Sequence, residues 1–243
     1  MTEKKIDHTH GDLLNRALDA FDAGGTGAAV GALNSIGDPV QAGTIFDGLA
    51  RTLYNSRKDV ASMISVAHAG VAFCLDQAAH VESAETAKQL KTAAKRIAFN
   101  AGANCWPGWG DDGVHITSDD IQSGLSLAKL SHDLVHEMQL GLKQEANAAW
   151  LVGALRLAAG DPAAALIEFR EARNASESIG DATGMLMAQG YCALARQADN
   201  ATAPAAGAEE LEAVLTRLRE LGSDQASFFE RQLVTAAGIL LAK

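Results

Sequence analysis

Three glycine turns recur along the second half of this chain, at Leu140-Gly141, Ile179-Gly180-Asp181 and Leu221-Gly222, separated by 39 and 42 residues. Each closes one stretch of helically spaced apolar residues and opens the next. Between the first two turns lie Val152-Gly153, Gly160-Asp161, Ala165, Phe169 and Ala172. A fixed period of this length, with small residues where two helices must touch, implies stacked helix–turn–helix units. It constrains the fold more tightly than any other feature.

Composition agrees. Aromatics make up only 5% of the 243 residues and there are four prolines, while alanine and leucine abound. That mixture favours helices packed closely through small side chains. With 48% apolar residues and 21% charged ones, the chain is globular and long enough for a sizeable core.

Helical spacing first appears over Asp12–Asp22, after a polar start (residues 1–11) expected to be frayed, and Gly24-Gly25 stops it. A short helix over Ala28–Ile36 follows. Asp38 can cap the next helix, with Pro39 in its first turn. Further helices are expected over Asp59–Ala79 and after Ser83. The second carries a basic stripe of Lys88, Lys91, Lys95 and Arg96 that reads as a solvated face. Residues 104–117 break the rhythm with Trp106-Pro107-Gly108-Trp109-Gly110-Asp111-Asp112-Gly113, a tryptophan- and glycine-rich loop. Ser118 opens a helix reaching Leu140. Others are expected at Lys143–Ala159, Pro162–Ile179, Thr183–Gln197, Ala208–Leu221 and Asp224–Leu241, with Asp199–Gly207 the loosest connection.

The stretch Ala146–Gly180 resembles a tetratricopeptide repeat: Val152-Gly153 stands where the first helix meets its partner. Gly160-Asp161 makes the turn, and Ala165, Phe169 and Ala172 continue on the second helix. The following Ala175, Ile179-Gly180-Asp181, Gly184, Tyr191 and Leu194-Ala195 resemble the longer variety found in bacterial regulators and signalling scaffolds. The likeness is clearest over residues 146–195. It is degenerate over Ser118–Gly141 and Ala208–Leu241, and residues 12–103 read as divergent helical pairs. The resemblance implies an all-α solenoid: about ten helices in antiparallel pairs and a right-handed superhelix. The connection Asp199–Gly207 is too short for a domain linker, so one domain over residues 1–243 is expected. The resemblance also implies that Asn147, Trp150, Ala154 and Leu157 face a concave binding groove, with Gln189, Ala193 and Arg196 one repeat later. The Lys-and-Asn clamp that some family members use to grip a C-terminal carboxylate is not recognisable.

Partners are narrowed by charge. A formal net charge of −10 disfavours nucleic acid and anionic membrane surfaces. No run reaches the roughly 18 apolar residues of a membrane span, and no apolar export segment follows Met1, so a cytoplasmic protein is expected. Cys74, Cys105 and Cys192 are read as reduced thiols.

Other candidate residues have competing explanations. Trp106 and Trp109 could form an aromatic lip for a peptide or small ligand, but a loop tryptophan more often plugs a core. His132 and His136 stand one helical turn apart, a spacing that can grip zinc. Asp133 replaces the glutamate of a zincin and no third ligand follows, so a wet helix face is the default. Neither a metal nor a cofactor is expected. The leading functional expectation is therefore a non-catalytic adaptor for a protein or peptide segment. Two alternatives remain: a small-ligand or metal-dependent enzyme or receptor with a pocket near the Trp106–Asp112 loop, and a self-associating structural protein. For the latter, Phe228, Phe229, Leu233, Ala236 and Leu240 form a C-terminal apolar stripe suited to a homodimer.

Overall fold

The computed structural model describes residues 3–199 and 204–242. Among them are ten α-helices, one 3-10 turn and no strand. By contact density the chain divides into two compact units, residues 1–104 and 105–243. The division falls where the tryptophan-rich segment begins. Within each compact unit, helices adjacent in sequence pack on one another, a helical-repeat-like all-α architecture.

The first unit holds α1 (Glu3–Asn34), α2 (Pro39–Asn55), α3 (Val60–His80) and α4 (Ala84–Asn104). Helix begins at Glu3, ahead of the expected start at Asp12, so residues 3–11 are helical and not a frayed lead-in. The expected break is present: Gly24 and Gly25 leave helical geometry, with φ of −153° and 67°. Asp38 caps α2 by accepting from the amides of Val40 and Gln41, and Asp59 caps α3 by accepting from that of Ser62. Ile45, Phe46, Leu49 and Leu53 of α2 are fully buried, as are Met63, Val66 and Ala67 of α3 and Leu90 and Ala94 of α4.

Two sequence expectations change here. By length and composition α3 is apolar enough to cross a membrane, contrary to the reading that no such run exists. Its Met63, Val66, Ala67 and Cys74 are nonetheless buried where it packs on α2 and α4. Nor is Arg96 simply a solvated charge. Its Nε lies 3.4 Å from the buried Asp47 carboxylate, which also accepts from the Asn100 amide at 2.9 Å. That node ties α4 to α2.

The second unit holds the 3-10 turn Pro107–Trp109, α5 (Ser118–Glu137), α6 (Leu142–Ala158), α7 (Pro162–Ser178), α8 (Ala182–Ala198), α9 (Pro204–Leu221) and α10 (Asp224–Leu240). Part of the loose connection expected over 199–207 lies outside the described residues. Thr117, and not Ser118, caps α5. Its hydroxyl accepts from the Asp120 amide while the Asp120 carboxylate accepts from the Thr117 amide, a reciprocal capping box.

The turns before α7, α8 and α10 share one device: a glycine in the left-handed region, followed at once by the residue that caps the next helix. Gly160 (φ 83°) precedes Asp161, whose carboxylate accepts from the Ala164 amide, and Gly180 (φ 70°) precedes Asp181, which accepts from that of Gly184. The Asp161 and Asp181 amides reach back to the carbonyls of Arg156 and Ser176, closing the preceding helix. Between the helices, a Cβ added at Gly153 would lie 2.7 Å from the Phe169 ring and 3.2 Å from the Ala165 carbonyl oxygen. The backbone of α6 can therefore approach α7 closely, and Phe169 is fully buried in the contact.

The same left-handed geometry is imposed on Gln139 (φ 50°), before α6, and on Lys58 (φ 54°), before Asp59. An L-residue there costs roughly 1–2 kcal/mol, against roughly 0.5–1 kcal/mol for the extra chain freedom of glycine. Gln139→Gly should stabilise the protein by about 0.5–1 kcal/mol, and Gly160→Ala should destabilise it by about 1 kcal/mol. Denaturant midpoints of the two variants would check these opposite signs.

Candidate functional site

The expected recognition residues are divided by the structure. Trp150, at 7% exposure, is buried, as are Ala154 and Leu157. These three are interior residues. Asn147, Gln189 and Arg196 are half-buried, and Arg196 is ion-paired to Glu210 of α9. Trp150 is covered by the rings of Trp106, Trp109 and Tyr191, and the inner side of α8 by α10. Helix α10 packs on the 3-10 turn and on α8 as well as on its neighbour α9. Leu233 seats against Gly190 of α8, where an added Cβ would lie 2.5 Å from its Cδ1. Phe229 and Gln225 share a cavity of about 130 Å³ with Lys143, Ala146 and Asn147 of α6. The inner side of α8 is thus covered by the chain's own α10, which also borders the start of α6.

This also revises the C-terminal stripe. Leu233 and Ala236 are fully buried within the chain, so the inner part of the stripe already has its cover. What α10 leaves exposed is Phe228, Val234 and Ile239.

All three tryptophans meet in one cluster. Trp106 packs edge-on to Trp109, Trp150 and Tyr191, with ring centroids 4.9, 5.6 and 5.8 Å apart, and Tyr191 lies 5.2 Å from Phe169. Burial raises the Tyr191 hydroxyl well above its usual range, a rise opposed by the Trp150 indole beside it. Gly108 lies directly against the Trp106 indole. Gly110, at φ 67°, faces Thr235 and Ile239 of α10. Trp106 is 1% exposed, a core plug and not a ligand-facing lip, while Trp109 is half-buried. Removing the plug should be expensive. Trp106→Ala should cost about 3–5 kcal/mol, measured as the change in denaturation free energy.

The cysteines are equally enclosed. Burial pushes the thiols of Cys74 and Cys105 up to about 12 and raises that of Cys192, leaving little thiolate at neutral pH. Ellman's reagent should therefore leave the native protein nearly unmodified and titrate all three thiols once denaturant is added.

Open, polar space lies elsewhere. A cleft of about 570 Å³ is lined by His132 and His136 of α5, Leu142, Glu145 and Ala149 of α6, and Glu171, Asn174, Ala175 and Ser178 of α7. Its floor is apolar, with Ala149 buried, and its rim is polar. Glu145 and Glu171 form no hydrogen bond or ion pair among the described residues. Below the rim Glu168 meets Arg156 at 3.2 Å. Burial raises the Glu168 carboxyl, and Arg156 partly opposes that rise. The two imidazoles face one another, with Nε2 atoms 3.1 Å apart and ring centroids 4.5 Å apart at 76°. Among the described residues, no group of three or more His, Cys, Asp or Glu is placed to hold a metal.

Sequence reasoning singled out the histidines but missed Glu145, Glu171, Asn174 and Ser178. A signal was available on α7: Glu171, Asn174, Ala175 and Ser178 follow the i, i+3, i+4, i+7 spacing of one helical face. No protein-family model matches the chain, and no curated protein is significantly similar to it.

Proposed function

We propose that this chain is a non-catalytic adaptor of the tetratricopeptide type, capturing a basic polypeptide segment in the α5–α6–α7 cleft. The repeat assignment is supported by the packing of the residues that carry the likeness. Gly160-Asp161 makes the turn, Phe169 and Ala172 are buried, and Gly153 admits the close approach of α7. The adaptor reading rests on one observation: the cleft is large and open, with an apolar floor and two carboxylates on its rim that form no ion pair among the described residues. An extended segment lays apolar side chains on such a floor while its Lys or Arg side chains meet Glu145 and Glu171. Asn174 and Ser178 add polar groups for its backbone. The overall acidity of the protein favours the approach of such a partner.

This moves the recognition surface from the inner side of α6 and α8 to the cleft bordered by α5 and α7. Exposed ion pairs contribute roughly 0.2–1 kcal/mol each, so the double variant Glu145→Gln/Glu171→Gln should bind about two- to thirtyfold more weakly. The measurement is fluorescence anisotropy with a panel of labelled Lys- and Arg-containing peptides, matched by acidic ones. Binding should also weaken as salt rises. Equal affinity for basic and acidic peptides, no binding by wild type, or an unchanged double variant would each refute this reading.

A further inference from the structure

His132 and His136 have a geometry that peptide capture does not use. Both lie on α5 one turn apart, and both are open to the cleft. In an α-helix, residues four apart are surface neighbours, so the spacing alone brings the rings near each other. The structure adds the separation of the ligating atoms: Nε2 to Nε2 is 3.1 Å. A metal ion with bonds to nitrogen of about 2.0–2.1 Å, and an angle between them from square to tetrahedral, requires about 2.9–3.4 Å. The pair already stands at that spacing. A hydrogen bond between the two Nε2 atoms holds the rings at this separation, and a metal ion would take the place of its proton.

We propose that His132 and His136 form a two-imidazole chelate for a divalent transition-metal ion of the zinc or copper class. Imidazole nitrogen suits these metals and disfavours magnesium and calcium, which prefer oxygen ligands. The cleft of about 570 Å³ leaves room for the rest of the coordination shell. Glu145 and Glu171 line the same space and supply negative charge that favours a cation. With no third protein ligand assembled among the described residues, the remaining positions belong to water or to an exogenous donor. The site is thus an open, exchangeable one, unlike a closed structural zinc site with four protein ligands. The expectation of a wet helix face came from counting ligands along the sequence, whereas the chelate follows from the distance between the two nitrogens.

The proposal stands apart from peptide capture, so its test uses metal alone. His8 and His10 offer a competing pair in the sequence. Titrations therefore use the full chain carrying His8→Asn and His10→Asn, with Zn²⁺, Cu²⁺ and Mg²⁺ followed by calorimetry. One Zn²⁺ or Cu²⁺ per chain is expected, Cu²⁺ the tighter, with no heat from Mg²⁺. His132→Ala and His136→Ala should each weaken binding at least tenfold, and the double variant should abolish it. Both positions are solvent-accessible, so these variants should fold, as helical circular dichroism would show. Zn²⁺ should raise the Tm of the chain that keeps both histidines and leave that of the double variant unchanged. Zn²⁺ binding of equal strength in the double variant, or none in the chain retaining the pair, would overturn the proposal.

Discussion

The second unit depends on how closely α6 and α7 approach, and Gly153 sets that approach. With no Cβ in the way, the Phe169 ring and the Ala165 carbonyl come within contact distance of the α6 backbone. Phe169 can then bury completely and pass the contact to Tyr191, which passes it to Trp106 and Trp150. A side chain at position 153 would push α7 outward and loosen every ring behind it. Dense packing of large rings here rests on a position that has no side chain at all. The cleft inherits its dimensions from the same spacing, because its walls are carried on α6 and α7.

Much of this was legible before any coordinates. Asp38, Asp59, Asp161 and Asp181 announce helix starts because a short carboxylate can reach an amide two or three residues on, which is a local rule. Gly24-Gly25 announces a break for an equally local reason. Lys58 and Gln139 concealed the same turn geometry, because neither residue type advertises a left-handed backbone.

What could not be read was which helix covers which face. Periodicity told that Trp150, Ala154 and Leu157 share one side of α6. It did not tell that Phe229 of α10 and Trp106 of the preceding loop come to the same region. These contacts join residues far apart in the chain, and no helical period encodes them. Misplacing Trp150 followed directly: the side assigned to a partner was already covered from within. The histidine pair was legible as a spacing, while the distance between its nitrogens had to be seen.

Polypeptides are made from the amino end, so α10 leaves the ribosome after every element that it covers. Until it arrives, Gly190 and the turn bearing Trp109 face water, whatever helices have already paired. The local hairpins α6–α7 and α7–α8 can form early, since their contacts are near in sequence. Sealing of the tryptophan cluster must wait. A nascent chain of this protein therefore carries a wet aromatic seam until α10 has been made and has docked.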